Sequence, residues 1–147
     1  MGISSLRRIN FMAKIELFQK QPLGYILTQL GSFPIKRGGA DTTALKEAIK
    51  RLKNGIPVLI FVEGTRRIGN AVPVAQAGVG LIAVRAAVPV IPVYIEGTQH
   101  VMSPGSKVLK RNPVTVRFGP QVNIDPKQSY TEISKVILDR IYSLSAG

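Results

Sequence analysis

The chain has 147 residues, 45% of them hydrophobic and 19% charged, which is one domain's length with enough apolar surface for a real core, and which excludes disorder. Twenty Lys and Arg against eight Asp and Glu leave a net charge of +12 at pH 7, an excess that calls for an anionic partner: nucleic acid, an acidic membrane or a phosphorylated small molecule. Cysteine is absent and His100 is the single histidine, which excludes disulfides, thiolate chemistry and multi-histidine metal sites.

From the N-terminus, MGISSLRRINF has no apolar stretch behind its two arginines and is not a secretory signal. Ile9 to Ala13 is expected as a short strand, followed by apolar helical material from about Ile15 to Leu30 that Pro22 interrupts. Phe33 to Lys36 is expected to be extended, as the residue before Pro34 should be. Ala44, Leu45, Ala48, Ile49 and Leu52 then recur at helical spacing. They predict an amphipathic helix opened by Asp41 or Thr42, ended by Gly55 and Pro57, and carrying Lys50, Arg51 and Lys53 on a solvated face. Val58 to Val62 is apolar, β-branched and of strand length, the pattern of a buried parallel strand.

Residues 68–84 carry no charge, but Gly69, Asn70, Pro73, Gln76, Gly78 and Gly80 interrupt them, so no membrane-spanning helix is expected there. Within this stretch, AGVGLIAVRAA at 77–87 predicts a small-residue helix whose glycines let it lie close to the sheet. Val88 to Ile95 is expected as an edge or irregular strand because of Pro89 and Pro92, and Val114 to Phe118 as a third clear strand. Ser129 and Glu132 form a capping box that opens a helix with Ile133, Val136, Ile137, Ile141 and Leu144 on one face. Strands separated by helices define the α/β class, with a mostly parallel central sheet flanked by helices in one domain over residues 1–147.

An internal echo points to the site. Val62-Glu63-Gly64-Thr65 and Ile95-Glu96-Gly97-Thr98 each leave a strand through Glu-Gly-Thr, which would put carboxylates, hydroxyls and free amides at one sheet edge, where open α/β folds bind ligands. Either copy can also be an ordinary turn that uses glycine for φ > 0. In the first copy Arg66 and Arg67 follow at once, so a carboxylate, a hydroxyl and a bidentate phosphate ligand converge within a few residues.

Three segments in order, GSFPIKRGGAD at 31–41, FVEGTRR at 61–67 and VPVIPVYIEGT at 88–98, resemble the motifs of the glycerolipid acyltransferases. The resemblance covers nearly all of the chain. It implies a glycerol-phosphate acyltransferase-like fold and an O-acyltransferase of phospholipid biosynthesis. Such an enzyme moves a fatty acyl group from acyl-CoA or acyl carrier protein, as co-substrate and without a further cofactor or metal, to the hydroxyl of lysophosphatidic acid. It also implies that Arg37 and Arg66 hold the acceptor phosphate and that Glu63, Gly64 and Thr65 shape the same pocket. Peripheral attachment to the cytoplasmic face of an anionic membrane is expected, aided by basic residues and by apolar residues around Leu17 to Leu30.

The family's His-x-x-x-x-Asp motif, whose imidazole takes the proton of the acceptor hydroxyl, is missing: the fifth position after His100 is Gly105. No catalytic residue is therefore assigned, and the chain resembles a member lacking the N-terminal segment that carries this motif. His100 itself is expected to be a solvated loop histidine. Val62 replaces a proline of the family pattern, which should loosen the strand exit, and Gln76 stands where many members carry a lysine. Two rival readings remain at this level. One is a non-catalytic lipid-phosphate-binding remnant; the other, a small basic nucleic-acid-binding protein, is disfavoured because no tryptophan is present and no aromatic residues interleave with the basic ones.

Overall fold

The computed structural model describes residues 9–35, 42–62, 75–101 and 111–146. In chain order they form β1 (Asn10–Lys14), α1 (Ile15–Phe18), α2 (Leu23–Gln29), β2 (Ser32–Ile35), α3 (Thr42–Lys53), β3 (Val58–Leu59), α4 (Ala77–Ala86), β4 (Val93–Glu96), α5 (Thr98–Val101), β5 (Thr115–Phe118) and α6 (Tyr130–Ser143), with a closing 3₁₀ turn at Leu144–Ala146. β1 is the middle strand of a parallel sheet, order β2-β1-β3, with Lys14 beside Ile35 and Phe11 beside both Ser32 and Leu59. All three strands run the same way, so the chain leaves each of them at one carboxyl edge.

The expected α/β class and parallel sheet are therefore present. The second half departs from expectation: β4 and β5 pair with each other, antiparallel, with Val93 opposite Phe118 and Glu96 opposite Thr115, and a bridge from Val90 to Val122 continues the pairing. Pro89 and Pro92 have no N–H to offer a ladder. Regular pairing accordingly begins after them, at Val93. β3 lies at the edge of the described three-stranded sheet, and its residues are half-buried rather than buried.

Two apolar clusters hold the elements together. Phe33, Ala48 and Ile82 are joined by Met12, Leu45, Ile49, Leu52, Val58 and Ile60, packing α3 on the sheet. Val62, Ala83, Val122, Ile133, Ile137 and Leu138 form the other. Consecutive residues of α4, Ile82 and Ala83, belong to different clusters, so α4 is packed from two sides, which accounts for a helix that is apolar nearly all round. The glycines of α4 serve this helix packing and not approach to the sheet. A Cβ at Gly80 would lie 2.1 Å from the Tyr130 carbonyl oxygen of α6, whereas one at Gly78 would meet only the Leu45 Cδ2 of α3, at 3.3 Å.

Lys50 and Lys53 are exposed, but Arg51 is not the solvated residue expected. Its guanidinium donates to Glu47 Oε1 (2.7 Å), to the buried Asn10 Oδ1 (2.5 Å) and to the Gly31 carbonyl (3.3 Å), and sits 4.5 Å from the Phe33 ring centre. It thus ties α3 to the amino edge of the sheet.

The capping box of α6 is formed as expected. Ser129 Oγ accepts from the Glu132 N–H at 3.2 Å, and Ser129 N–H donates to Glu132 Oε2 at 2.9 Å. The hydroxyl of Ser129, and then its N–H, hold the Glu132 carboxyl below its ordinary pKa. A depressed carboxylate contributes stability that is complete above its unfolded pKa and is lost as pH falls through the lowered folded one. Ser129→Ala is expected to cost about 1 kcal/mol at neutral pH. Urea unfolding across the acid range should show the loss, together with a flatter pH dependence below the ordinary glutamate value.

Candidate functional site

The site residues expected from the sequence, Arg37, Glu63, Gly64, Thr65 and Arg66, lie outside the described residues. The scaffold from which they depart is described. β2 ends at Ile35, two residues before Arg37, and Val62 immediately precedes Glu63. β2 and β3 flank β1 in parallel, so the two motif-bearing segments follow strands that run toward the same carboxyl edge, roughly 10 Å apart.

The segment 63–75 leaves and rejoins the fold at a fixed junction. Val62 is 7% exposed and belongs to the larger core cluster, and its carbonyl accepts from the Gln76 N–H at 3.0 Å. Ser134 Oγ donates to the Gln76 carbonyl at 2.9 Å and accepts from the Gly80 N–H at 2.9 Å. Ser134 has no exposed surface. Burial of the Val62 side chain and the bond to its carbonyl anchor the point of departure. Gln76 is the N-cap residue of α4, with an extended backbone and no cap from its own side chain.

Sequence reasoning missed Ser134, and a signal for it existed. At about 100° per residue, Ser134 falls on the apolar side of α6 between Ile137 and Leu138, where a hydroxyl must find partners. Arg51 was legible in the same way, since it lies only about 20° from Ala44 around α3.

The second Glu-Gly-Thr is a turn. Glu96 is exposed and accepts from Arg117 Nη1 on the neighbouring strand at 2.8 Å; Gly97 has φ +89° and its Cβ position is 2.3 Å from the Pro113 carbonyl oxygen; Thr98 opens α5. The two copies exit from different sheets among the described residues, not from one sheet edge. His100 lies in α5, and its side chain is outside the described residues. At the opposite, amino edge of the parallel sheet is an open cavity of about 530 Å³ lined by Asn10, Thr28, Gly31, Arg51, Ile56 and Pro57. The bonds that Arg51 makes to its own fold mark this as a structural cavity rather than an acceptor site. No cluster of metal ligands occurs among the described residues.

Parallel strands joined by helices, with basic motifs following the carboxyl ends, agree with the family assignment that direct comparison supplies. The family described as Acyltransferase matches residues 1–96, and the chain belongs to that family. Among its relatives is a 1-acyl-sn-glycerol-3-phosphate acyltransferase of Bacillus subtilis, 33% identical over 112 residues, which are 76% of this chain and 53% of that protein. Another, from Streptococcus pneumoniae, is 32% identical over 133 residues, covering 89% of this chain and 47% of that protein. The chloroplastic 1-acyl-sn-glycerol-3-phosphate acyltransferase BAT2 of Brassica napus is 30% identical over 109 residues, 72% of this chain and 32% of that protein. In three dimensions the chain is similar to the 1-acyl-sn-glycerophosphate acyltransferase PlsC of Thermotoga maritima, with a TM-score of 0.73 and 28% identity over 93% of this chain and 56% of that one. The chain thus spans about half the length of the bacterial relatives it matches, and less of the plant one.

Proposed function

We propose that the chain forms the acceptor-binding part of an O-acyltransferase of phospholipid biosynthesis. The reaction is attack by the free hydroxyl of 1-acylglycerol 3-phosphate on the thioester carbonyl of acyl-CoA or acyl carrier protein; the C–S bond breaks, the thiol leaves, and phosphatidic acid is formed. The observation that supports this reading best is the parallel placement of β2 and β3 on either side of β1, since these strands lead into the Arg37 and Arg66 segments. Two guanidinium groups delivered from the exits of the two strands that flank β1 can hold and orient one phosphate, with Glu63, Gly64 and Thr65 shaping the pocket around it. The imidazole that would accept the hydroxyl proton is not in the His-x-x-x-x-Asp arrangement anywhere in the 147 residues. That absence favours, as the second reading, a lipid-phosphate-binding role without catalysis.

Both readings require the phosphate ligands. Arg66→Lys keeps the charge but loses the planar fork, so calorimetric titration with glycerol 3-phosphate is expected to show at least roughly ten-fold weaker binding for Arg66→Lys, and weaker still for Arg66→Ala. Equal affinity of wild type and Arg66→Lys would remove the bidentate role. The lipid acceptor also requires contact with a membrane surface, which on this reading is peripheral and cytoplasmic.

A further inference from the structure

On the lipid-acceptor reading the protein must meet a membrane, and no described helix is long and apolar enough to cross one. We propose that the outward stripe formed by Leu23 and Ile26 of α2 and by Leu30, which caps that helix, inserts into the headgroup and upper acyl region of an anionic lipid surface. At about 100° per residue, Leu23, Ile26 and Leu30 fall within about 60° of one another. They are 38%, 49% and 57% exposed. Gly24, on the far side, is buried, with its Cβ position 2.2 Å from the Phe18 carbonyl oxygen. That contact presses α2 onto α1 and turns the large apolar side chains outward.

Charge selects the occupant. α2 carries no charged residue, residues 17–40 contain no Asp or Glu, and of the exposed charges on the chain just before the helix two, Lys14 and Lys20, are basic and one, Glu16, is acidic. An uncharged apolar stripe beside basic residues matches an anionic leaflet: the lysines approach the headgroups and the stripe enters below them. A second copy of the chain is a poor occupant, since two molecules of charge +12 repel.

The chain contains no tryptophan, so Leu23→Trp gives a single fluorescent reporter on the stripe. With vesicles of phosphatidylcholine and phosphatidic acid, its emission should shift to the blue and be quenched by brominated acyl chains. Part of the bound protein should stay bound at high salt, because the apolar contribution is not screened. The double variant Ile26→Asp/Leu30→Asp should lose at least roughly ten-fold in vesicle partition, while keeping its melting temperature and its affinity for glycerol 3-phosphate. Sedimentation with vesicles but no quenching, or unchanged partition of the double variant, would overturn the assignment. So would a concentration-dependent dimer in sedimentation velocity that the double variant abolishes, or transfer of the protein from vesicles to duplex DNA at matched phosphate. Arg66→Lys should retain the quenching. If phosphate affinity proves insensitive to Arg66 while Leu23→Trp is quenched, the acceptor-site reading fails and the membrane face stands; the reverse pattern sinks the face alone.

Discussion

Given acyl-CoA and lysophosphatidic acid, the purified 147-residue chain is expected to release CoA no faster than buffer. General acid–base catalysis contributes a factor of roughly 10² to 10⁴, and in glycerolipid acyltransferases that factor is assigned by resemblance to an imidazole oriented by an aspartate. The only histidine here, His100, lies in the short helix α5 after the second Glu-Gly-Thr, and no Asp follows it at the required spacing. A chain that binds the acceptor phosphate without this base positions a hydroxyl that stays protonated, and a neutral hydroxyl is a weak nucleophile toward a thioester. A thiol-release assay on wild type and His100→Ala decides the matter. Identical background rates are expected, and robust turnover abolished by His100→Ala would make His100 the base.

The other large effect is expected at two glycines of one helix. Gly80→Ala should destabilise the protein by about 1–5 kcal/mol: overpacking against a backbone carbonyl costs roughly 1–3 kcal/mol and disturbing a buried hydroxyl's bonds a similar amount, offset by about 1 kcal/mol of helix propensity. The new methyl would stand 2.1 Å from the Tyr130 carbonyl oxygen and 3.0 Å from Ser134 Oγ. Neither α4 nor α6 can yield without breaking the Ser134 junction that closes the 63–75 segment. Gly78→Ala, two residues away, meets only the tip of Leu45, a flexible side chain. Its melting temperature should stay level or rise slightly. Thermal unfolding of the two variants side by side tests the packing of α4 directly, and equal melting temperatures would show that α4 does not press on α6 through Gly80. A lowered affinity of Gly80→Ala for glycerol 3-phosphate, beyond its loss of stability, is expected if the junction also sets the Arg66 segment.

Local signals in the sequence carried most of the element list. The apolar spacing of Ala44, Leu45, Ala48, Ile49 and Leu52, the break at Pro22, the strand-length run from Val58 and the Ser129–Glu132 box each act within one or two turns of chain, and each corresponds to an element found. Three ordered motifs pointed to the family, because each is a short run of residues that lie close together in sequence. Family membership and the parallel α/β sheet were legible for that reason.

Partner choice was not. Whether Gly80 faces a sheet or a helix depends on the backbone of Tyr130, fifty positions on, which no local period encodes. Charged residues usually are exposed, so the sequence places Arg51 in solvent; the acceptors on Asn10, Gly31 and Glu47 and the face of Phe33 hold it half-buried instead. The two Glu-Gly-Thr exits are identical in sequence yet differ in setting, since β3 pairs with a parallel neighbour and β4 with an antiparallel one. In the second copy Arg117 already satisfies the carboxylate. Chain-local chemistry thus determined the elements and the family, whereas the pairing of distant surfaces, fixed only when burial and hydrogen-bond satisfaction are met together across the whole fold, decided what each helix face and each strand exit does.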